Sequence, residues 1–138
     1  MVNYYSIKEP IIHEIDIKKS RIITYLIPIQ TEEDFNEQLA AIRKEHYKAT
    51  HNCQAFMSDD GEPSGTAGVP MLEVLKRNNL TYIMAVTVRY FGGTKLGAGG
   101  LIRAYSTSVS ETLNHAKLIA NATQMVIELT LEYNQVDN

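Results

Sequence analysis

Hydrophobic and polar residues alternate early in the chain in a pattern that predicts a β-hairpin. In the segment EIDIKKSRIITYLIPI, Ile15 and Ile17 alternate with charged residues, and the KKS tripeptide is suited to reverse the chain. A β-branched run then continues to Ile29. We therefore expect two antiparallel strands joined by a short turn.

Helical spacing follows in three places. TEEDFNEQLAAIRKEHYK puts Phe35, Leu39 and Ile42 on one apolar stripe, and Thr31 is suited to cap the start of that helix. VPMLEVLKRNN predicts a second helix with Pro70 in its first turn, where a missing N–H group does little harm. LIRAYSTSVSETLNHA predicts a third and longer helix.

Three further segments predict strands. THNCQAFM is one, and LTYIMAVTVRY is so continuously apolar that it predicts a central strand covered on both faces. QMVIELTLEY alternates cleanly from Met125 to Tyr133 and predicts a strand near the end of the sequence. Strands and helices mixed within 138 residues indicate an α/β (α+β) fold.

Composition and charge restrict the classes of function. A net charge of −3 argues against indiscriminate nucleic-acid binding, which needs a basic surface. The sequence has no apolar run long enough to span a membrane and no signal-peptide order at its start. Cys53 is the single cysteine and suits a core position better than a catalytic one. We therefore expect a cytoplasmic protein without disulfides.

The basic residues are unevenly distributed along the chain. No acidic residue occurs between Glu73 and Glu111. The same interval contains five basic residues, which are Lys76, Arg77, Arg89, Lys95 and Arg103. We therefore expect a locally positive face on a protein that is acidic as a whole.

The stretch RYFGGTKLGAGGLIRAY combines five glycines with three basic residues. A strand followed by a glycine-rich loop and a helix presents free backbone N–H groups at the positive end of the helix dipole, which favours an anion. The candidate anion-binding residues are Arg89, Lys95, Gly97, Gly99, Gly100 and Arg103. The pattern matches neither standard phosphate-binding motif, and a tight corner that needs small residues explains the glycines equally well.

A second glycine cluster, SDDGEPSGTAGVP, is acidic. Its carboxylates and hydroxyls suggest a loop that binds magnesium or supplies a general base, although a solvated turn explains this loop better when it is taken alone. With a nearby histidine it forms a candidate polar cleft of His51, Asp59, Asp60, Glu62, Ser64 and Thr66. The two glycine clusters form one cleft only if they lie at the same edge of the sheet. No histidine or cysteine pair has the spacing of a zinc site, so a zinc site is not predicted and no residue is assigned as a metal ligand.

The glycine clusters also carry a family resemblance. ATHNCQAF, SDDGEPSGTAGVPMLEVL and VTVRYFGGTKLGAGGLIRAY together resemble the signature of the IMPACT/YigZ family, from about Ile15 to His115. The resemblance implies a mixed four-stranded sheet with two helices on one face, like the second domain of the fifth small-subunit ribosomal protein. It also implies a ferredoxin-like C-terminal domain that begins with the strand Met125–Tyr133. We therefore expect a first domain over residues 1–120 and the start of a second over 121–138.

The resemblance also has implications for function. Eukaryotic members of the family act in translational control, largely through an additional N-terminal domain. We expect a cytoplasmic anion-binding module that associates with RNA, the ribosome or a translation factor, without a cofactor or a membrane. The alternative is a small-molecule enzyme or nucleotide-binding protein that uses the cleft between the two loops. There the basic residues hold a phosphate or carboxylate, and Asp60 or Glu62 acts as base or magnesium ligand.

Overall fold

The computed structural model describes residues 4–57, 63–64, 68–122 and 125–132. Within these ranges the strands and helices alternate in an α+β order, as the sequence predicts, and no helix has the length and apolar character needed to cross a bilayer. The elements are β1 (Tyr4–Ile7), β2 (Ile11–Ile17), β3 (Ser20–Pro28), α1 (Glu32–Glu45), β4 (His51–Met57), β5 (Pro63–Ser64), α2 (Val69–Arg77), β6 (Ile83–Tyr90), α3 (Gly97–Asn114), β7 (Lys117–Ala122) and β8 (Met125–Glu132).

The predicted hairpin is confirmed and has a two-residue turn. β2 and β3 pair in antiparallel fashion up to Ile17 and Ser20, so Lys18 and Lys19 alone reverse the chain. Their φ angles are +48° and +72°. Left-handed turns of this kind match the twist of the flanking strands, but they normally use asparagine and glycine. Left-handed backbone costs other residues about 1–2 kcal/mol each, so the two lysines occupy a strained turn.

The main sheet has the order β2-β3-β6-β4-β5, which confirms the expected four-stranded core and adds the short β5. Every pairing in it is antiparallel, so the expectation of a mixed sheet is corrected. The reason lies in the position of β6. β3 and β4 run in the same direction and are joined through α1, but β6 lies between them and is antiparallel to both. Two parallel strands are therefore present without being neighbours.

Side chains of β6 alternate between two cores, as expected for a central strand. Met84, Val86 and Val88 face the α1 side, where the predicted apolar stripe of α1 covers them. Ile83 and Ala85 face the opposite side, where α2 and α3 pack together. The prediction of two helices on one face is confirmed for α2 and α3, and α1 covers the other face.

The α2/α3 face also contains a buried group of hydroxyls. The Thr24 hydroxyl contacts the Ser108 hydroxyl of α3 and lies 3.3 Å from the Thr87 hydroxyl, and all three residues have no exposed surface. Thr112 on the next turn of α3 donates a hydrogen bond to the Ser108 carbonyl at 2.7 Å. These small polar side chains satisfy one another, which permits their burial.

Helix α1 is fixed at both ends. Thr31 caps its start as predicted, because its hydroxyl accepts a hydrogen bond from the Asp34 N–H and the Asp34 carboxylate accepts one from the Thr31 N–H. At the other end, His46 lies between two tyrosines of the sheet. Its Nε2 is 2.7 Å from the Tyr25 hydroxyl, and its Nδ1 is 2.5 Å from the Tyr90 hydroxyl.

A second sheet has the order β1-β7-β8 and is antiparallel. Ile7 of β1 and Leu118 of β7 are buried in the core under α2 and α3, which attaches this sheet to the main body. The predicted strand near the end of the sequence is confirmed as β8. Its assignment to a second domain stays a prediction.

The strain at Lys18 and Lys19 leads to the prediction that replacing both residues stabilises the protein. The double variant Lys18→Asn/Lys19→Gly should raise the free energy of unfolding by about 1 kcal/mol, since left-handed strain is relieved and only part of the gain is offset by glycine entropy. Urea denaturation measures this as a higher midpoint at unchanged slope. The control Lys18→Ala/Lys19→Ala removes the same charges but keeps the strain, and an equal gain in that control would contradict the explanation.

Candidate anion-binding site

The glycine-rich corner between β6 and α3 is partly helical. The loop itself covers only residues 91–96, because α3 begins at Gly97, four residues before the predicted start. Gly97, Gly99 and Gly100 therefore belong to the first turn of a helix, and Arg103 lies in the second turn rather than the first. Gly97 has a φ of +77°, a left-handed backbone that favours glycine at the start of this helix. Leu96 precedes the helix and provides no side-chain cap.

The corner is held against the β2–β3 turn. Gly92 has no room for a side chain, because an added Cβ would overlap the carbonyl of Lys19. The Gly92 N–H donates to the Ser20 hydroxyl at 3.3 Å, and the Phe91 N–H donates to the Thr50 hydroxyl at 2.9 Å. The explanation of the glycines as a tight corner therefore applies to Gly92, and the contact brings the two strained lysines to the start of α3.

A cleft of about 320 Å³ opens between that turn and α3. Its lining residues are Ile17, Lys18, Leu96, Gly100, Arg103, Ala104 and Thr107. Lys18 and Arg103 are exposed, as are Lys19 and Lys95, which adjoin the lining residues in the chain. We call this cleft, together with the four cations that line it or are next in sequence to its lining residues, the basic cleft. The sequence analysis missed Lys18 and Lys19, for which the only signal was a hairpin turn made of lysines in place of asparagine and glycine.

The acidic residues of β2 do not neutralise this cleft. Ile17 lines it, so strand alternation directs Asp16 and Glu14 to the opposite side of the hairpin. Glu14 there accepts hydrogen bonds from Arg21 at 2.8 and 3.2 Å. The bond from Arg21 lowers the pKa of Glu14, and the same pair raises the pKa of Arg21.

Arg89 belongs to a different group of residues. Only 6% of its surface is exposed, and its Nη1 lies 3.5 Å from Nδ1 of His51, its cross-strand partner. Its guanidinium also lies 5.7 Å from the centre of the exposed Phe91 ring. Burial, followed by the nearby Cys53 thiol, raises the pKa of Tyr105, and Arg89 opposes that rise. We call Arg89, His51, Cys53, Phe91 and Tyr105 the Arg89 cluster.

The basic cleft and the Arg89 cluster lie on opposite sides of α3. Arg103 and Tyr105 are two positions apart, which separates them by about 200° around the helix. Arg103 faces the β2–β3 turn, whereas Tyr105 faces Arg89 and Cys53 of the central strands. The expected convergence of Arg89, Lys95 and Arg103 on one anion is therefore not what the structure contains. Arg89 is buried on the α2/α3 side of β6, under the flank of α3 that is opposite to the exposed cations.

The other predicted basic residues are also divided. Lys76 and Arg77 are the last two residues of α2. The nearby Asn79 carbonyl accepts a hydrogen bond from the Tyr5 N–H, and this part of the molecule lies at the end of β6 opposite to Tyr90. The single positive face expected from the acid-free interval is therefore split between two ends of the molecule. Of the predicted polar cleft, His51 joins Arg89. Asp59, Asp60, Glu62 and Thr66 lie outside the described residues, and Ser64 is described only as part of the β5 backbone.

The described residues that flank the acidic cluster lie along β4. Met57, which precedes the cluster, pairs with Ile83, whereas the corner follows Tyr90 at the other end of β6. Gly68, further along the chain, packs on the backbone of Gln54 in β4. Within the described ranges, no group of three or more His, Cys, Asp or Glu side chains has the geometry of a metal site.

Fold and site together define an α+β domain with a glycine-rich corner beside a basic cleft. The chain belongs to the IMPACT family, since the family model described as the Impact N-terminal domain matches residues 18–113. The IMPACT family member YvyE of Bacillus subtilis is 49% identical over 95% of this chain. YigZ of Escherichia coli, of the same family, is 38% identical over 88% of the chain.

A solved structure has the same fold. The chain titled "Crystal structure of an hypothetical protein" is 36% identical to this protein, covers 88% of it and superposes with a TM-score of 0.76. This likeness confirms the fold. The present chain spans 65% of that solved chain and 65% of the Bacillus and Escherichia relatives.

The contact at Gly92 predicts a large effect from one methyl group. Gly92→Ala should lower the free energy of unfolding by about 1–3 kcal/mol, because the overlap is with backbone and the corner must shift. Gly99→Ala is the matched control, since its Cβ would meet Arg103 only at an ordinary 3.5 Å. Alanine there should be neutral or stabilising by up to about 1 kcal/mol, as expected in a helix. Similar denaturation midpoints for the two variants would contradict the close packing at Gly92.

The raised pKa of Tyr105 leads to a prediction about the stability of the protein at alkaline pH. Because its pKa is raised in the folded protein, Tyr105 keeps its proton above pH 10, where an unfolded chain has lost it. This contribution is complete below about pH 10 and disappears as the pH rises through the folded pKa. Tyr105→Phe should flatten this alkaline decline, and Tyr25→Phe should act in the same direction because burial also raises the Tyr25 pKa. Urea denaturation across this pH range measures the slope, and an unchanged slope in Tyr105→Phe would contradict the assignment.

Proposed function

We propose that this protein is a cytoplasmic anion-binding module that contacts RNA, the ribosome or a translation factor through the basic cleft. The observation that carries the proposal is the approach of Lys18 to Arg103 across one cleft, although 85 positions separate them in the sequence. Four exposed cations around the start of a helix match the chemistry of successive backbone phosphates, and that helix start presents free N–H groups with a positive dipole end.

The strained turn supports a binding role for its lysines. Asparagine and glycine would fit the left-handed backbone of residues 18 and 19 with less strain, and both positions are exposed. A cationic ligand-binding group explains why lysines stand there despite the cost. Strain of this kind is common where a binding site takes precedence over stability.

The overall charge also favours a localised site. With a net charge of −3, the protein as a whole repels polyanions, so binding must come from the arrangement of a few cations. Membership of the IMPACT family supports a partner within translation and a role in translational regulation. The alternative, an enzyme that uses a cleft between the two glycine-rich loops, stays a prediction, because the acidic residues of that cleft lie outside the described residues.

RNA binding and its salt dependence test the proposal. A fluorescently labelled single-stranded RNA should bind the protein more weakly as salt rises. Lys18→Asn/Lys19→Gly should reduce the salt slope by about 1.4, which corresponds to two phosphate contacts on single-stranded nucleic acid. That variant is expected to be more stable than the natural protein, so weaker binding cannot be attributed to unfolding. Lys95→Ala/Arg103→Ala should have a similar effect.

The matched control is Lys76→Ala/Arg77→Ala, which removes two positive charges at the far end of β6. Its salt slope should equal that of the natural protein. An equal loss in this control would mean that net charge, and not the basic cleft, governs binding. Absence of salt-sensitive binding by the natural protein would reject RNA as the ligand.

A further inference from the structure

Arg89 has the most unusual environment of any charged group in the described part of the chain. Among the residues whose burial is described, 4–57 and 68–120, it is the one charged residue that is buried, and its Nε has no hydrogen-bond partner among the described residues. An unpaired donor of a charged group costs more than about 1–3 kcal/mol when it is removed from water. A negatively charged partner for the guanidinium is therefore expected within the Arg89 cluster.

The described neighbours of Arg89 supply polar atoms but no negative charge. His51 contributes a ring nitrogen at 3.5 Å, and Tyr105 contributes a hydroxyl whose raised pKa keeps it neutral. Cys53 lies beside Tyr105 and is partly buried. The described carboxylates that have partners are engaged elsewhere, as Glu14 is with Arg21 and Asp34 is at the start of α1. No ion pair joins Arg89 to any described residue.

One exposed apolar side chain lies beside this polar group, and two more belong to the helices that cover the same face of the sheet. Phe91 is exposed and has the guanidinium of Arg89 near its ring. Ile102 is exposed on α3 three positions before Tyr105, which places both on the same flank of the helix. Val69 is exposed at the start of α2, next to Gly68, which packs against the strand that carries Cys53. A buried cation with an exposed aromatic ring beside it is complementary to an anionic group with an apolar body.

We propose that the Arg89 cluster is a second ligand site, separate from the basic cleft, which binds the carboxylate of a small ligand with an apolar tail. The carboxylate oxygens pair with the guanidinium, whose planar donors match that geometry, and the Tyr105 hydroxyl donates to the same group. The apolar tail lies against Phe91 and Ile102. His51 is exposed and marks the open side from which the cluster is reached.

Charge and access both favour a carboxylate over a phosphate chain. One guanidinium neutralises one negative charge, so a phosphate dianion would leave a charge uncompensated in a buried position. With 6% of its surface exposed, Arg89 is accessible to one small group and not to the successive phosphates of a polynucleotide. This inference is therefore independent of the proposed function, which rests on Lys18, Lys19, Lys95 and Arg103.

Binding of hexanoate to the full chain tests the proposal. Hexanoate at millimolar concentration should raise the melting temperature saturably and shift the NMR signal of the Arg89 Nε–H group. Hexanamide has the same tail without the charge and should do neither, and inorganic phosphate should bind more weakly. Arg89→Lys should weaken hexanoate binding by at least about tenfold, the scale of one lost charge-assisted hydrogen bond. Tyr105→Phe should weaken it less, which provides a second test if Arg89→Lys does not fold.

Several results would overturn the proposal. They are the absence of saturable hexanoate binding, equal binding by Arg89→Lys, and tighter binding of phosphate than of hexanoate. An internal partner is the main competing explanation. It predicts no hexanoate binding, together with a loss of stability in Asp60→Asn or Glu62→Gln that is not additive with Arg89→Lys.

RNA experiments separate this inference from the proposed function. Lys18→Asn/Lys19→Gly should bind hexanoate as the natural protein does, and hexanoate should not displace RNA. Loss of RNA binding in Arg89→Lys with unchanged hexanoate binding would assign Arg89 to the RNA site and reject the second site. Failure of RNA binding with intact hexanoate binding would reject only the proposed function.

Discussion

Insertion of β6 between β3 and β4 is the constraint on which the rest of the molecule depends. A strand that pairs on both edges and is covered on both faces has no group left for water, so every residue from Ile83 to Val88 is buried. The helices are positioned by that requirement. α1 covers one face, and α2 and α3 cover the other. The connection from β6 to α3 must then turn sharply back over the sheet, which produces the glycine-rich corner.

The same constraint gives the two ligand candidates their different character. On the α2/α3 face, the small hydroxyls of Thr24, Thr87 and Ser108 contact one another between sheet and helix. α3 therefore lies over the middle of the sheet with a flank on each side. The flank toward β2 remains open and collects exposed cations, whereas the flank toward β4 closes over Arg89. Exposed charge suits a polyanion, and a single buried charge suits a single small group.

Most of the fold could be predicted because its signals are local. The capping residue and apolar stripe of α1, the alternation of β2 and the continuous apolar run of β6 each lie within one element. The predicted start of α3 is too late because glycine normally indicates a loop. The helical residues downstream, from Leu101 to Asn114, outweigh that signal.

The site could be predicted only in part, because it depends on contacts between distant segments. The proximity of Lys18 to Arg103 follows from the approach of Gly92 to Lys19, which no local pattern contains. The burial of Arg89 did have a signal. Arg89 falls on the same side of the strand as Ala85 and Thr87, so alternation alone assigns it to a covered face once the strand is known to be central.

The position of His46 between two tyrosines has a consequence for how hydrogens are arranged in the protein. A neutral imidazole donates from one ring nitrogen and accepts at the other, so one of the Tyr25 and Tyr90 hydroxyls must donate and the other must accept. The three groups therefore form a hydrogen-bond chain in which every donor points the same way. A second proton on His46 removes the acceptor, turns the donating hydroxyl around and makes both tyrosines acceptors. The end of α1 and the last residue of β6 are thus connected through proton position as well as through packing.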